Sequence, residues 1–317
     1  MTDTYASKKY KIKKKIGNFL LGASVTVLFV ISLLLSNEIS VYFIDGLNLS
    51  IKVIIPSVFP FLLLTDLFIT TVHLDKITPA RNFFEKMFNI SGNAISAFIC
   101  GFLCGFPIGA KMSINFYKNG IISKCECERL MSFSNNASPA YVIFVIGLAF
   151  RGNIKDGILL YFIMAFSAFL TGLIIGISKK KTNNKGFIIK QNYSFVSSIR
   201  QSADVCINIC SFICTFAIIC GLTKKFICNK LVCALVISLF EIGNASVYLS
   251  KLCNDLRLLS FVLTSFAISF SGISVIAQTI CISGTNNTLS VFNHVKYKFI
   301  QGIISAFLAF LFFSISQ

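Results

Sequence analysis

The hydrophobic positions of this chain fall into long runs, not into the alternation of strands or the narrow stripe of a surface helix. Crossing about 30 Å of hydrocarbon takes roughly 20 apolar residues in a helix. Seven segments meet that requirement: 19–35, 51–72, 133–150, 157–178, 205–222, 258–282 and 299–315. Two further apolar segments are interrupted by Gly, Pro or charge. These are SGNAISAFICGFLCGFPIGA (91–110) and LVCALVISLFEIGNASVYLS (231–250). The pattern predicts an all-α, polytopic helical membrane protein with about seven full spans and two re-entrant hairpins.

Composition agrees with this picture. The 317 residues are 55% hydrophobic and only 13% charged, about half the charge of a soluble domain. That excludes an ordinary soluble enzyme, a disordered chain and a secreted disulfide scaffold. The net charge of +17 reads as loop charge that sets topology, not as a nucleic-acid footprint. With both interrupted segments re-entrant, 21 Lys and Arg fall on the inner side and 8 on the outer; with both crossing, the split is 16 to 13. The positive-inside rule favours the first arrangement. Letting 231–250 alone cross also gives 21 to 8, so charge does not settle that segment. The chain then divides into a basic cytoplasmic N-terminus (1–18), a first membrane helix with its outer loop (19–50), one repeat (51–178), a basic cytoplasmic linker (179–204) and a second repeat (205–317). The expected location is the bacterial cell membrane, multi-pass, with the N-terminus inside.

The repeat rests on two short matches. Phe106-Pro107-Ile108-Gly109 is echoed by Phe240-Glu241-Ile242-Gly243, and SFSNNASPAYVIFVIG (132–147) lines up with SFSGISVIAQTICISG (269–284). If both interrupted segments behave alike, the spans that follow them run in opposite directions, which is an inverted repeat. Such folds hold a solute near the bilayer midplane, where broken helices expose backbone dipoles.

The candidate site residues are those that break regular helix. Pro107, Gly109 and Lys111 lie on the first interruption. Ser134, Asn135 and Asn136 open the span after it, and serve either as a helix cap or as polar contacts for a solute. Glu241 is a carboxylate inside an apolar segment, where such residues usually face a cavity; the alternative is a position near the surface, paired with Lys251. Asn244 follows it, and Ser271, Gly272 and Gln278 lie in the repeat-matched span. Asp66 is a second candidate intramembrane acid. Cys206, Cys210 and Cys214 recur on one helix face and read as small residues for close packing. Ser123-Lys124-Cys125-Glu126 has the capping-box pattern and predicts a short helix over 124–133, with its charges at the membrane surface. No P-loop, HExxH or GxSxG motif is present. No enzyme activity, cofactor or bound metal is expected.

CGFPIGAKMSINFYKNGIISKCECERLMSFSNNASP, with LFEIG and SFSGISVIAQ further on, resembles the signatures of the YlbJ-type sporulation integral membrane proteins over about 51–313. This family belongs to the nucleoside-recognition or "gate" domain group, which is similar to spore maturation proteins, the membrane part of ferrous iron transporters and concentrative nucleoside transporters. Two positions depart from the family pattern. Cys104-Gly105-Phe106-Pro107 stands where Ser-Gly-Tyr-Pro is usual, and Gly243-Asn244 where Thr is usual near the Glu. The resemblance implies a role in sporulation more firmly than a solute. It leaves three expectations: a transporter-like protein that moves or senses a small polar solute, which includes nucleoside-like molecules; a non-transporting scaffold for spore-envelope assembly; or a ferrous iron permease-like path. The expected partners are the lipid bilayer, a small polar solute and other sporulation membrane proteins, with no nucleic acid.

The charge count carries a prediction. A cysteine placed at Lys181, in a variant stripped of native Cys, is expected to resist a membrane-impermeant thiol reagent added outside intact cells. Labelling from outside refutes the orientation.

Overall fold

The computed structural model describes residues 22, 25–27, 29–71, 78–151, 154–177, 195–253, 256–284 and 289–315. Among these there are helices and no strands. Among the described residues, five helices are long and apolar enough to cross a membrane: Ser36–Thr65, Ile154–Ile177, Phe195–Phe226, Arg257–Ser283 and Val291–Ser314. A bent pair, Pro79–Phe88 with Gly92–Cys104, turns by 104° and raises the number to six if it counts as one span. The protein is therefore a polytopic all-α membrane protein.

In chain order the helices are α1 (Ser36–Leu49), which runs through a π-helical turn (Ser50–Ile54) into α2 (Ile55–Thr71), then α3 (Thr78–Phe88), α4 (Ile95–Cys104), α5 (Ile108–Lys118) and α6 (Lys124–Ser134). A second π-helical turn (Tyr141–Ile146) leads into α7 (Gly147–Arg151). They continue as α8 (Ile154–Ile177), α9 (Phe195–Phe226), α10 (Lys230–Phe240), α11 (Ile242–Leu252), α12 (Arg257–Phe270), α13 (Gly272–Ser283) and α14 (Val291–Ile315).

Several expectations change. Residues 36–50 form helix, not an outer loop, and continue into the 51–72 segment. The 133–150 segment is not one span: α6 ends at Ser134, residues 135–138 are non-helical, and only a short helix follows. Asn135, Asn136 and Ser138 compete for backbone hydrogen bonds and interrupt what apolar counting reads as continuous. Residues 111–131 make up most of α5 and α6, of which the sequence predicts only 124–133 as helix, with Met112, Ile114, Ile121, Ile122 and Leu130 buried. Of the charges of α6, only Lys124 is exposed. Glu126, Glu128 and Arg129 are buried, although the capping box forms as its pattern predicts. Residues 19–21, 23, 24 and 28 of the first predicted span and residues 179–194 of the linker lie outside the described residues, as does the side chain of Asp66; 25–27 and 29–34 of that span are helical.

The order of elements repeats. A long helix (36–71, then 195–226) precedes a helix–break–helix unit (α4/α5, then α10/α11). Next comes a helix interrupted after Ser-Phe-Ser or within it (α6 to α7, then α12/α13). A long helix closes each half (α8, then α14). The units contain helices of 10 or 11 residues. Each is about 15 Å long, half of the hydrocarbon thickness. The second unit folds back on itself, because Tyr248 near the end of α11 donates to the carbonyl of Lys230 at the start of α10 at 3.5 Å.

Close approach between helices depends on small residues. Glycine 46 of α1 meets α9 so tightly that a Cβ there would lie 2.8 Å from the Ala217 Cβ and 2.9 Å from the Cys214 Cα. Cys206 and Cys214 are buried on this helix, in line with the packing role of the Cys206–Cys210–Cys214 face. In the first half, Phe88 forms a ring cluster with Phe84, Phe98, Phe133 and Phe169, at centroid distances of 4.9–5.5 Å. That cluster seats the amphipathic α3 on the hairpin and on α6.

Gly109 gives the sharpest packing test. A Cβ at this position would lie 2.4 Å from the Ser134 carbonyl oxygen, a backbone atom that cannot swing aside. Gly109→Val is expected to abolish folded protein in the membrane fraction, by detergent solubility and size-exclusion profile. Gly120→Ala, where nothing lies within 4 Å but φ is +70°, should cost only about 1 kcal/mol.

Candidate functional site

The site grows from four interruptions of helix. At the first, Gly105 has φ +83°, and a Cβ on it would lie 2.5 Å from the Ser138 amide nitrogen. Only glycine lets the α4/α5 turn press against the 135–138 break. Gly101 and Gly109 do the same one turn away on either arm, both against the Ser134 carbonyl. At the second interruption, Ser138 restarts the helix by accepting from the Tyr141 amide through Oγ at 3.2 Å.

The third interruption is Glu241. Its backbone is extended between α10 and α11, and its carboxylate caps α11. Oε1 accepts from the Gly243 amide at 2.8 Å; Oε2 accepts from the Asn244 amide at 2.6 Å and from Asn244 Nδ2 at 2.9 Å. The residue is only 2% exposed, so a surface position paired with Lys251 is ruled out. The fourth is Ser271-Gly272, both with φ +78°. A Cβ on Gly272 would lie 2.9 Å from the Phe240 carbonyl oxygen, so the second hairpin tip rests on this break as the first tip rests on 134–138.

The two halves meet at these breaks. Asn135 Nδ2 donates to Thr279 Oγ1 of α13 at 3.2 Å. A cavity of about 50 Å³ is walled by both hairpin tips and both interrupted helices, among them Phe106, Ser138, Tyr141, Glu241 and Gln278, with Ile54 and Ile213 from the long helices. Such a volume admits a few water molecules or a small cation.

Of the residues singled out in the sequence, Glu241 and Gln278 line this cavity. Gln278 Nε2 donates to Ser274 Oγ at 3.4 Å. Ser134, Asn135 and Asn136 lie fully buried at the second interruption, and Ser271 with Gly272 at the fourth. Asn244 serves Glu241. Pro107 and Gly109 shape the first tip without lining the cavity. Lys111, half-buried on α5, is not part of its wall.

One cluster escaped the sequence reading. Lys298, 1% exposed, donates from Nζ to the Asn135 carbonyl at 2.8 Å, to Asn136 Oδ1 at 3.2 Å and to Gln301 Oε1 at 2.9 Å. Gln301 Nε2 donates to the same Asn136 Oδ1 at 2.8 Å, and Asn136 Nδ2 donates to the Phe133 carbonyl at 2.7 Å. The ammonium also lies 5.8 Å from the Phe106 ring centroid. Lys298 lies one residue ahead of the predicted 299–315 span and counts among the 21 inner charges, but α14 begins at Val291 and carries it into the protein. The signal was spacing: His294, Lys298, Gln301 and Ser305 recur on one helical face, and all four are buried.

The capping role of Glu241 can be measured. Glu241→Ala leaves three donors without their acceptor, at about 1–3 kcal/mol for a buried group left unsatisfied. It is expected to lower Tm in detergent clearly. Glu241→Gln keeps one acceptor oxygen and should fall between the variant and the wild type.

No family model matches the chain. No solved structure matches it. The chain is similar to the sporulation integral membrane protein YlbJ of Bacillus subtilis (strain 168), 28% identical over 141 residues. These make up 44% of this chain and 34% of that protein, so the match spans about a third of the length of the curated relative. The long apolar helices and this similarity make the chain a multi-pass membrane protein with a sporulation integral membrane protein as a relative.

Proposed function

We propose that this protein is a transporter-like membrane protein acting in sporulation, and that it moves or senses a small polar solute where the four helix breaks converge. One observation carries the reading. Among the described residues, six buried side-chain atoms have no hydrogen-bond partner, and three of them, Ser134 Oγ, Asn135 Oδ1 and Ser269 Oγ, belong to the two Ser-Phe-Ser breaks. A buried unpaired polar atom costs about 1–3 kcal/mol, and a solute or water that pairs with it accounts for its presence; the three atoms lie behind the cavity wall, to which the same interrupted helices contribute Ala137, Ser138, Val275 and Gln278.

Size and mobility bear on the solute. A cavity of about 50 Å³ is far below the roughly 300–1,000 Å³ of a drug-sized pocket. A nucleoside-sized solute therefore requires the tips to separate. The two π-helical turns supply Ile54 and Tyr141 to the wall, and π turns are common at functional sites. An inverted repeat is part of the proposal. The long helices that open the two halves pack antiparallel: Glu38 pairs with Lys225, Tyr42 lies on Gly221, and Gly46 lies on Cys214 and Ala217. Helices related by a two-fold axis in the membrane plane are oriented this way. The N-terminus is assigned to the cytoplasm on the charge count.

The scaffold reading draws on a different observation: the strongest polar groups, Glu241 and Lys298, are already satisfied by the protein itself. The ferrous iron reading has no donor set among the described residues, where no three His, Cys, Asp or Glu side chains come together.

Ser134→Ala and Ser269→Ala separate the first two readings. Each removes an atom without a partner, so membrane abundance and Tm are expected to hold. If the hydroxyls serve a solute, the double variant should lower spore yield at least tenfold in the spore-forming host. Unchanged spore yield with unchanged abundance favours the scaffold.

A further inference from the structure

The α6 break ends in a cage of oxygens around the Lys298 nitrogen. Ser134 is the last residue of α6, so the Asn135 carbonyl is the first beyond the helix, at the negative end of its dipole. Asn136 Oδ1 and Gln301 Oε1 complete a set of three neutral oxygens around the Lys298 nitrogen, at 2.8, 3.2 and 2.9 Å. An ammonium has three N–H donors, and all three are used. In discontinuous membrane helices, unwound carbonyls and helix C-terminal ends of this kind coordinate a free monovalent cation.

We propose that Lys298 is a tethered monovalent cation: its ammonium occupies, by way of its own side chain, the place that an ammonium-sized ion would otherwise fill at the α6 break. The protein thereby holds this break closed with no inorganic ion. The four-carbon stem runs from α14 to the break, so the cation also fastens the last helix of the second half to the interrupted helix of the first. The Phe106 face, 5.8 Å away, extends the hold to the first hairpin tip, since a ring quadrupole attracts a cation. Neutral acceptors suit this role. A carboxylate partner would cancel the charge that the helix end and the ring both favour. The inference concerns what holds the break, and stands whether or not a solute is moved.

Removing the side chain beyond Cβ should leave a vacancy shaped like n-propylammonium. The test is thermal unfolding of the full chain in detergent, wild type against Lys298→Ala, each with n-propylammonium chloride, 1-propanol or sodium chloride at equal concentration. Lys298→Ala is expected to lose several degrees of Tm. Propylammonium should restore at least half of that loss, 1-propanol and sodium little of it, and the wild type should respond to none. Equal effects of propylammonium and 1-propanol, including no effect of either, overturn the proposal, because they reduce Lys298 to space filling. So does an unchanged Tm in Lys298→Ala. Should that variant not fold, Gln301→Glu and Gln301→Lys decide the matter in membrane abundance. A resident cation favours the Glu variant and expels the Lys variant. Equal abundance of the two, or the reverse order, shows that no positive charge sits in the cage.

Discussion

A backbone that leaves its helix inside a membrane has no water to turn to, and this constraint organises the molecule. Each freed N–H or C=O costs several kcal/mol in hydrocarbon unless protein supplies a partner. Four breaks in one chain are tolerable only if they are brought together. The glycines do this. Gly101, Gly105 and Gly109 let the first tip reach the 134–138 backbone, and Gly272 lets the second break reach the Phe240 carbonyl. The half-length helices follow from the same requirement: a chain that enters and turns back needs a tip buried in protein, and the partner break provides the burial.

Three of the four breaks were legible in the sequence because their causes are local. Gly105-Phe106-Pro107, Glu241 and Ser271-Gly272 each combine a missing donor, a free φ or a charge with an apolar surround, and the capping box at Ser123 fixed the start of α6. What was not legible depends on distance along the chain. Residues 36–50 carry Asn37, Glu38, Asp45 and Asn48, which reads as a loop by composition. Packing on α9, with Glu38 against Lys225 and Gly46 against Cys214, makes them helix. Residues 133–150 failed in the opposite sense, because apolar content outweighed a polar run whose partners lie on α13 and α14.

Lys298 shows why charge counting has a blind side. Counted as one positive charge near the end of a span, it belonged with the inner loops. Its place in the fold depends on where α14 begins, and that is set by groups far away in sequence. Glu128 accepts from the Ser290 amide at 2.7 Å and from Asn293 Nδ2 at 2.9 Å, capping α14 from α6. The helix therefore starts before His294, and the stripe His294, Lys298, Gln301, Ser305 turns inward against α6 and α12. Ser132 faces His294 at 3.4 Å, and Ser265 faces Ser305 at 2.7 Å. A sequence window on α14 alone contains the stripe but not the reason it is buried.

The buried charges obey one rule. Glu126 caps α6, Glu128 caps α14 and Glu241 caps α11, each carboxylate at a helix N-terminus. Arg129 donates to the Asn89 carbonyl just past the end of α3 at 2.9 Å, and Lys298 to the Asn135 carbonyl just past the end of α6. Anions thus sit at positive helix ends and cations at negative ones. None of these five buried contacts is an ion pair, unlike the exposed Glu38–Lys225 contact. Helix dipoles are fixed by the fold, whereas an ion pair needs two mobile side chains to be ordered together. A chain that must break its helices creates many helix ends in a low-dielectric interior, and those ends are what let it bury charge.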